Sequence, residues 1–229
     1  MAYLEVCAST IRDVAVALEA GAHRVELCSV WSAGGITPNV VVVEAAVAMG
    51  MPVRALIRPR EGSFMYSKSE RSWAVEEAKV MLDCGAERVV VGGLNEEGCL
   101  DEAYLEAMVE AVGSEALVWH RAIDVSQNSQ ADVQLLLDFA VQEVLSSGGA
   151  LRAVDGICQL QNMIDAGLRV IAGGGVQPED VAALEEAGVH AVHASCRTPS
   201  QEGHSQLFDT TVNLVDYDKV LNLIELLSN

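Results

Sequence analysis

Two tripeptides near the start of the chain carry the same chemistry, Glu5-Val6-Cys7 and Glu26-Leu27-Cys28. Side chains alternate between the faces of a strand, so each Glu shares a face with the Cys two residues on. Val6 and Leu27 take the opposite face. Neighbouring strands lie about 4.8 Å apart, which places Cys7 and Cys28 within reach of one soft metal ion. The competing reading is that both cysteines pack as small buried hydrophobes. A third run ends Ile57-Arg58-Pro59-Arg60. Arg58 and Arg60 there suit a carboxylate or phosphate, unless Arg54 and Arg58 join Glu5 and Glu26 in a buried ion-pair network.

Two further runs end in histidine, the side chain best suited to proton transfer near neutral pH. One is Trp119-His120-Arg121-Ala122-Ile123-Asp124, in which Asp124 either orients His120 or pairs with Arg121. The other is Val192-His193-Ala194-Ser195. Gly173-Gly174-Gly175 leads into Gln177-Pro178, and Ser146-Ser147-Gly148-Gly149 forms a second small loop. Such loops either let an oxyanion approach backbone N–H groups at a helix start or are simply tight turns. The residues sort into three candidate sets. His120, Glu26, Glu5, Asp124 and His193 suit acid–base work. Arg58, Arg60, Arg121, Gly173, Gly174, Gly175 and Ser147 suit an anion. Cys7 and Cys28 suit a metal.

What must position these residues is a repeated unit: a helix end, a glycine, then a Val-rich strand. It appears at Gly21, Gly85, Gly167 and Gly188. Glycine there takes the left-handed conformation that ends a helix. Short β-branched runs predict eight strands, at Leu4–Cys7, Arg24–Cys28, Val53–Arg58, Arg88–Gly92, Leu117–Arg121, Glu143–Ser147, Arg169–Ala172 and Ala191–Ser195. Helical patterns lie between them. Thr10 with Asp13 reads as a capping box, Asp101 as a cap, and Pro38 and Pro178 as first helical residues. Eight such units predict a single α/β domain over residues 1–229, a (β/α)8 TIM barrel, with an open doubly wound sheet as the alternative. Pro59–Ser69 and Arg197–Thr211 are expected over the C-terminal mouth, where functional groups of such barrels gather.

Composition narrows the function. Acidic residues outnumber basic ones 33 to 14, for a net charge of −19. A surface this negative argues against nucleic-acid and membrane partners. The start of the chain has no signal-peptide pattern, no apolar run is long enough to span a bilayer, and none of the six cysteines forms a C-x-x-C pair. The expectation is free thiols in a reducing cytoplasm.

Taken in order, several motifs resemble the CutC family, often called copper homeostasis proteins. They are Leu4-Glu5-Val6-Cys7, Arg24-Val25-Glu26-Leu27-Cys28 with Gly34-Gly35-Ile36-Thr37-Pro38, and Ile57-Arg58-Pro59-Arg60 with Phe64, Tyr66 and Ser67. His120-Arg121-Ala122 with Asp124, Leu145-Ser146-Ser147-Gly148 and Val192-His193-Ala194-Ser195 complete the set. Ile123 departs from the pattern, standing where the family usually has Phe. The resemblance implies a cytoplasmic TIM barrel, usually a homo-oligomer (dimer or tetramer), with a role in copper handling and copper bound at Cys7 and Cys28. The alternative is an enzyme acting by acid–base chemistry on a small phosphate- or carboxylate-bearing substrate.

Overall fold

All eight predicted strands form, each within two residues of its expected start. They are β1 (Tyr3–Ala8), β2 (Arg24–Leu27), β3 (Val53–Leu56), β4 (Arg88–Val91), β5 (Leu117–Trp119), β6 (Glu143–Ser146), β7 (Arg169–Gly173) and β8 (Ala191–Ala194). In the computed structural model, which describes residues 2–204, 207 and 209–228, they pair in parallel and in chain order as a closed barrel. Closure is made by β8 pairing with β1, with Glu5 opposite His193. This excludes the open sheet.

Helices α1 (Ile11–Glu19), α2 (Val40–Ala48), α3 (Lys68–Asp83), α4 (Glu102–Val112), α5 (Ser129–Asp138), α6 (Ile157–Asp165) and α7 (Val181–Glu186) alternate with the strands, and α8 (Tyr217–Leu227) closes the described chain. The glycines of the repeated unit have φ of +85° (Gly21), +95° (Gly85), +112° (Gly167) and +85° (Gly188), so each turn uses a conformation that costs other residues energy. Thr10 and Asp13 form the expected capping box, and Asp101 caps α4. Pro38 is not a first helical residue. The Asn39 side chain accepts from Val41 N–H and sets the start of α2 at Val40, leaving Pro38 outside.

Strand parity divides the core in two. Leu4, Val6, Val25, Leu27 and their equivalents pack outward against the helices. Inside the barrel, Leu56, Val90, Val118, Leu145, Ile171 and Ala191 join Cys7 and Cys28 in an apolar belt. A hairpin of β9 (Arg197–Gln201) and β10 (Thr211–Val215) follows β8. Buried Asp13 ties it to α1, accepting from Arg197 through Oδ2 and from Val215 N–H through Oδ1. Among the described residues no helix is long and apolar enough to cross a membrane.

Candidate functional site

The lumen is polar at both ends. At the N-terminal base, the first residues of β2, β4, β6 and β7 are Arg24, Arg88, Glu143 and Arg169. Arg54 lies 2.6 Å from Glu143 and 3.4 Å from Glu5, Arg169 lies 2.9 Å from Glu143, and Arg24 donates to Glu5 at 2.6 Å. Arg88 stands 3.6 Å from Glu143. Burial would raise the pKa of Glu143, but the three arginines around it hold it below its ordinary value. The sequence pointed to Arg54 as an ion-pair partner in the lumen. It did not single out Arg24, Arg88, Arg169 or Glu143, although each opens its strand on the inward parity.

Above the apolar belt, a cavity of about 300 Å³ opens at the C-terminal end. Cys7, Glu26, Cys28, Arg58, His120, Arg121, Gly174, Gly175 and His193 all reach it. The two cysteine sulfurs lie 3.8 Å apart and share a hydrogen bond, with the Ser9 hydroxyl 3.6 Å from Cys28 Sγ. Donation into that bond and burial push the Cys7 thiol well up. The same bond lowers the Cys28 pKa, although burial opposes it, so Cys28 is the thiol that ionises first.

Beside the sulfurs, His193 Nδ1 donates to Glu5 Oε1 at 2.8 Å and lies 3.8 Å from Glu26 Oε2. Burial works to lower the His193 pKa, but the charge of Glu26 and the bond to Glu5 raise it. Burial pushes Glu26 up to about 7. Glu5 is pulled the other way: burial is outweighed by the bond to His193 and by Arg24, His193 and Arg54. Glu5 is itself fully buried beneath the cavity wall.

Strand alternation stops guiding side chains once a strand has ended, and several expectations change there. Arg58 follows β3 and does not pair with Glu26. Its guanidinium donates to the carbonyls of Ala33, Gly35 and Gly62 and stacks on Phe64, pinning the mouth loops. Arg60 turns away from the cavity and donates to Glu70 and to the carbonyls of Glu61, Ser63 and Met65. Asp124 does not orient His120. It accepts from Arg121 at 2.7 Å, from both Ser146 and Ser147 hydroxyls, and from Ser147 and Gly149 N–H. Ser147 is fully buried in that network and does not line the cavity. Gly173 also lies behind the wall, where an added Cβ would stand 2.6 Å from Leu145.

His120 follows β5 and caps the short 3-10 turn Arg121–Val125, its Nδ1 accepting from Ala122 N–H. Burial drives its pKa down to about 3. The ring is therefore neutral, with its proton on Nε2, and that buried nitrogen has no hydrogen-bond partner. The remaining walls come from residues to which the sequence assigned no binding role. Trp31 and Phe64 supply aromatic faces, Gln177 an amide, and Arg197 stacks over Trp31 while donating to Cys7 carbonyl. The expected mouth segment Pro59–Ser69 delivers Phe64, and Arg197 opens the other, but neither aromatic carried a spacing signal in the sequence.

An (β/α)8 barrel with a mixed thiol, carboxylate and imidazole mouth is the class that fold and site define. The CutC family profile matches residues 2–198. Among curated relatives, the CutC family protein of Pasteurella multocida is 31% identical over 197 residues, covering 84% of this chain and 81% of its own. That of Yersinia pseudotuberculosis is 33% identical over 200 residues, covering 85% and 79%. A solved CutC structure from Streptococcus agalactiae, described as a candidate copper homeostasis protein, superimposes with TM-score 0.79 at 26% identity, covering 85% of this chain and 99% of that one. Phosphoribosyl anthranilate isomerase from Thermus thermophilus shares the fold alone, at 14% identity and TM-score 0.59 over 99% and 98%. This chain belongs to the CutC family.

Proposed function

We propose that the protein binds Cu(I) through Cys7 and Cys28 and serves copper handling in the cytoplasm. The observation that carries this reading is the sulfur pair, 3.8 Å apart and facing the cavity. Two thiolates each about 2.3 Å from one ion at a tetrahedral angle lie about 3.8 Å apart. Soft thiolates favour soft ions such as Cu(I) over hard ones such as Mg²⁺ or Ca²⁺. The name borne by the Streptococcus agalactiae relative fits this cargo. Titration with Cu(I) against a chromogenic chelator tests it. One ion per chain is expected, lost in the Cys7→Ser, Cys28→Ser double variant. Unchanged affinity in that variant leaves the cysteines as core packing. The assembly that accompanies this reading is a homo-oligomer, a dimer or tetramer, consistent with exposed Val41 and Trp73 on α2 and α3. Light scattering that finds only a 24.3 kDa species overturns the assembly.

A second reading rests on its own observation, the unpartnered Nε2 of His120 at the cavity wall. With Arg121 and the backbone at Gly174 and Gly175, it offers donors to a phosphate or carboxylate. Phosphate titration followed by histidine NMR decides it: a shift of the His120 ring signal at millimolar phosphate supports an anionic ligand, and none dismisses it.

A further inference from the structure

The sulfur pair has a neighbour that no soft-ion role uses. Glu5, Glu26 and His193 bring one oxygen or nitrogen each within 4.8 Å of one another. They come from β1, β2 and β8, so the cluster exists only because the barrel closes β8 onto β1. Glu5 divides its two oxygens. Oε2 faces Arg24 and Arg54, while Oε1 turns to His193. Glu26 is different. Its side chain is 7% exposed, and its Oε2 is buried with no hydrogen-bond partner, 3.8 Å from the imidazole. A buried carboxylate oxygen left without a donor is costly. No arginine donates to it, as Arg24 and Arg54 pair with Glu5 and Glu143. The single Nδ1 proton of His193 is given to Glu5.

We propose that Glu5, Glu26 and His193 form a second cation site, for a divalent ion of oxygen and nitrogen preference such as Mn²⁺ or Zn²⁺. The ion replaces the proton on His193 Nδ1, which leaves to solvent, and takes Glu5 Oε1 and Glu26 Oε2 as its other ligands. One imidazole and two carboxylates suit such ions, whereas Cu(I) prefers the sulfurs beside them. Glu26 and His193 both line the cavity, which gives the ion a path in and leaves a coordination position open to water or a ligand. Three protein ligands with an open position is the pattern of metal sites that do chemistry. The Arg24 and Arg54 contacts hold the Glu5 carboxylate in place, as groups hydrogen-bonded to a metal ligand fix its orientation.

The test uses the Cys7→Ser, Cys28→Ser protein, so that thiolates of the copper site take no part. Mn²⁺ is added alone, and the free ion is followed by electron paramagnetic resonance. One Mn²⁺ per chain is expected. Glu26→Gln in the same background should weaken it by at least roughly 100-fold, the upper end of what losing a partner of a ligand costs. Circular dichroism checks that the variant folds. If Glu26→Gln does not fold, His193→Gln takes its place, with the same loss expected. Absence of Mn²⁺ binding at millimolar concentration, or binding that survives Glu26→Gln or His193→Gln, overturns the site. Copper binding by the unmodified cysteines is a separate measurement and survives either result.

Discussion

The two ends of the lumen use charge in opposite ways. At the base, Arg24, Arg54, Arg88 and Arg169 meet Glu5 and Glu143 at distances from 2.6 to 3.6 Å. Buried polar atoms without a hydrogen-bond partner occur at both ends, on Arg24, Arg54 and Glu143 below and on Glu26 and His120 above, but of these residues Glu26 and His120 line the cavity. The apolar belt around Leu56, Val90 and Val118 lies between. Each charge at the base faces an opposite charge, which is how a protein holds charge it needs for architecture. At the mouth, Glu26 on β2 and His120 just after β5 border an open cavity instead. The difference teaches that neither ionisable residues nor unpartnered atoms mark a site by themselves; unpartnered atoms on residues that line a cavity do.

The comparison breaks most sharply at Glu143. Glu143→Ala leaves three arginines facing one another without their shared carboxylate, and a loss of about 3–5 kcal/mol is expected in urea unfolding. If the two ends are independent, Cu(I) affinity of the folded fraction stays unchanged. A loss below about 1 kcal/mol would mean that the base network contributes no more than surface ion pairs do.

Gly92→Ala attacks the mouth by steric means. An added Cβ would lie 2.3 Å from His120 Nδ1, so the ring must leave its place on Ala122 N–H. Overpacking of this kind costs about 1–3 kcal/mol. Thermal melts give the cost, and loss of the His120 response to phosphate shows that the ring has moved.

His120 also imposes a pH dependence. Its folded pKa of about 3 lies below the ordinary 6.5, so between these values the unfolded chain binds the extra proton. Stability therefore falls as pH drops from about 6.5 towards 3, with a slope of up to about 1.4 kcal/mol per pH unit from this group. His120→Asn can still accept from Ala122 N–H and cannot be protonated in this range. Its unfolding curve should be flatter with pH, and an unchanged slope would place the acid sensitivity elsewhere.

The smallest effect is expected from Arg121→Ala. Its guanidinium is 43% exposed and pairs with Asp124. A partly exposed pair contributes about 0–1 kcal/mol. A change in melting beyond that would make Arg121 part of the scaffold and weaken its place at the cavity.

The barrel was legible because its signals are local and repeated. Gly21 and Gly85 end helices, and the β-branched runs that follow can hardly be other than buried strands. Parity also placed Glu5, Cys7, Glu26 and Cys28 correctly on the lumen face. It failed beyond the strand ends, since Arg60, Asp124 and Ser147 follow loop geometry that no period describes. The base network was hidden for another reason. An arginine opening a strand, such as Arg88 or Arg169, looks like a solvated end until closure shows that several such ends meet. Trp31 escaped notice, and Phe64 was seen as part of a motif but given no place at the cavity, because a loop aromatic reaches a cavity only through contacts made far along the chain.

Asp13 gathers donors from both ends of the sequence: Ser9 and Thr10 N–H nearby, then Arg197 and Val215 N–H. The last of these contacts spans 202 positions. Contacts of such separation carry a large loop-closure entropy and form once nearer pairings have shortened the effective loop. The carboxylate of α1 thus ties the hairpin that follows β8 back to the start of the chain. Without that hairpin Arg197 would neither stand over Trp31 nor donate to the Cys7 carbonyl. A nascent chain would thus hold both cysteines before it holds the pocket around them, so the thiols are most open to oxidants and stray ions during synthesis.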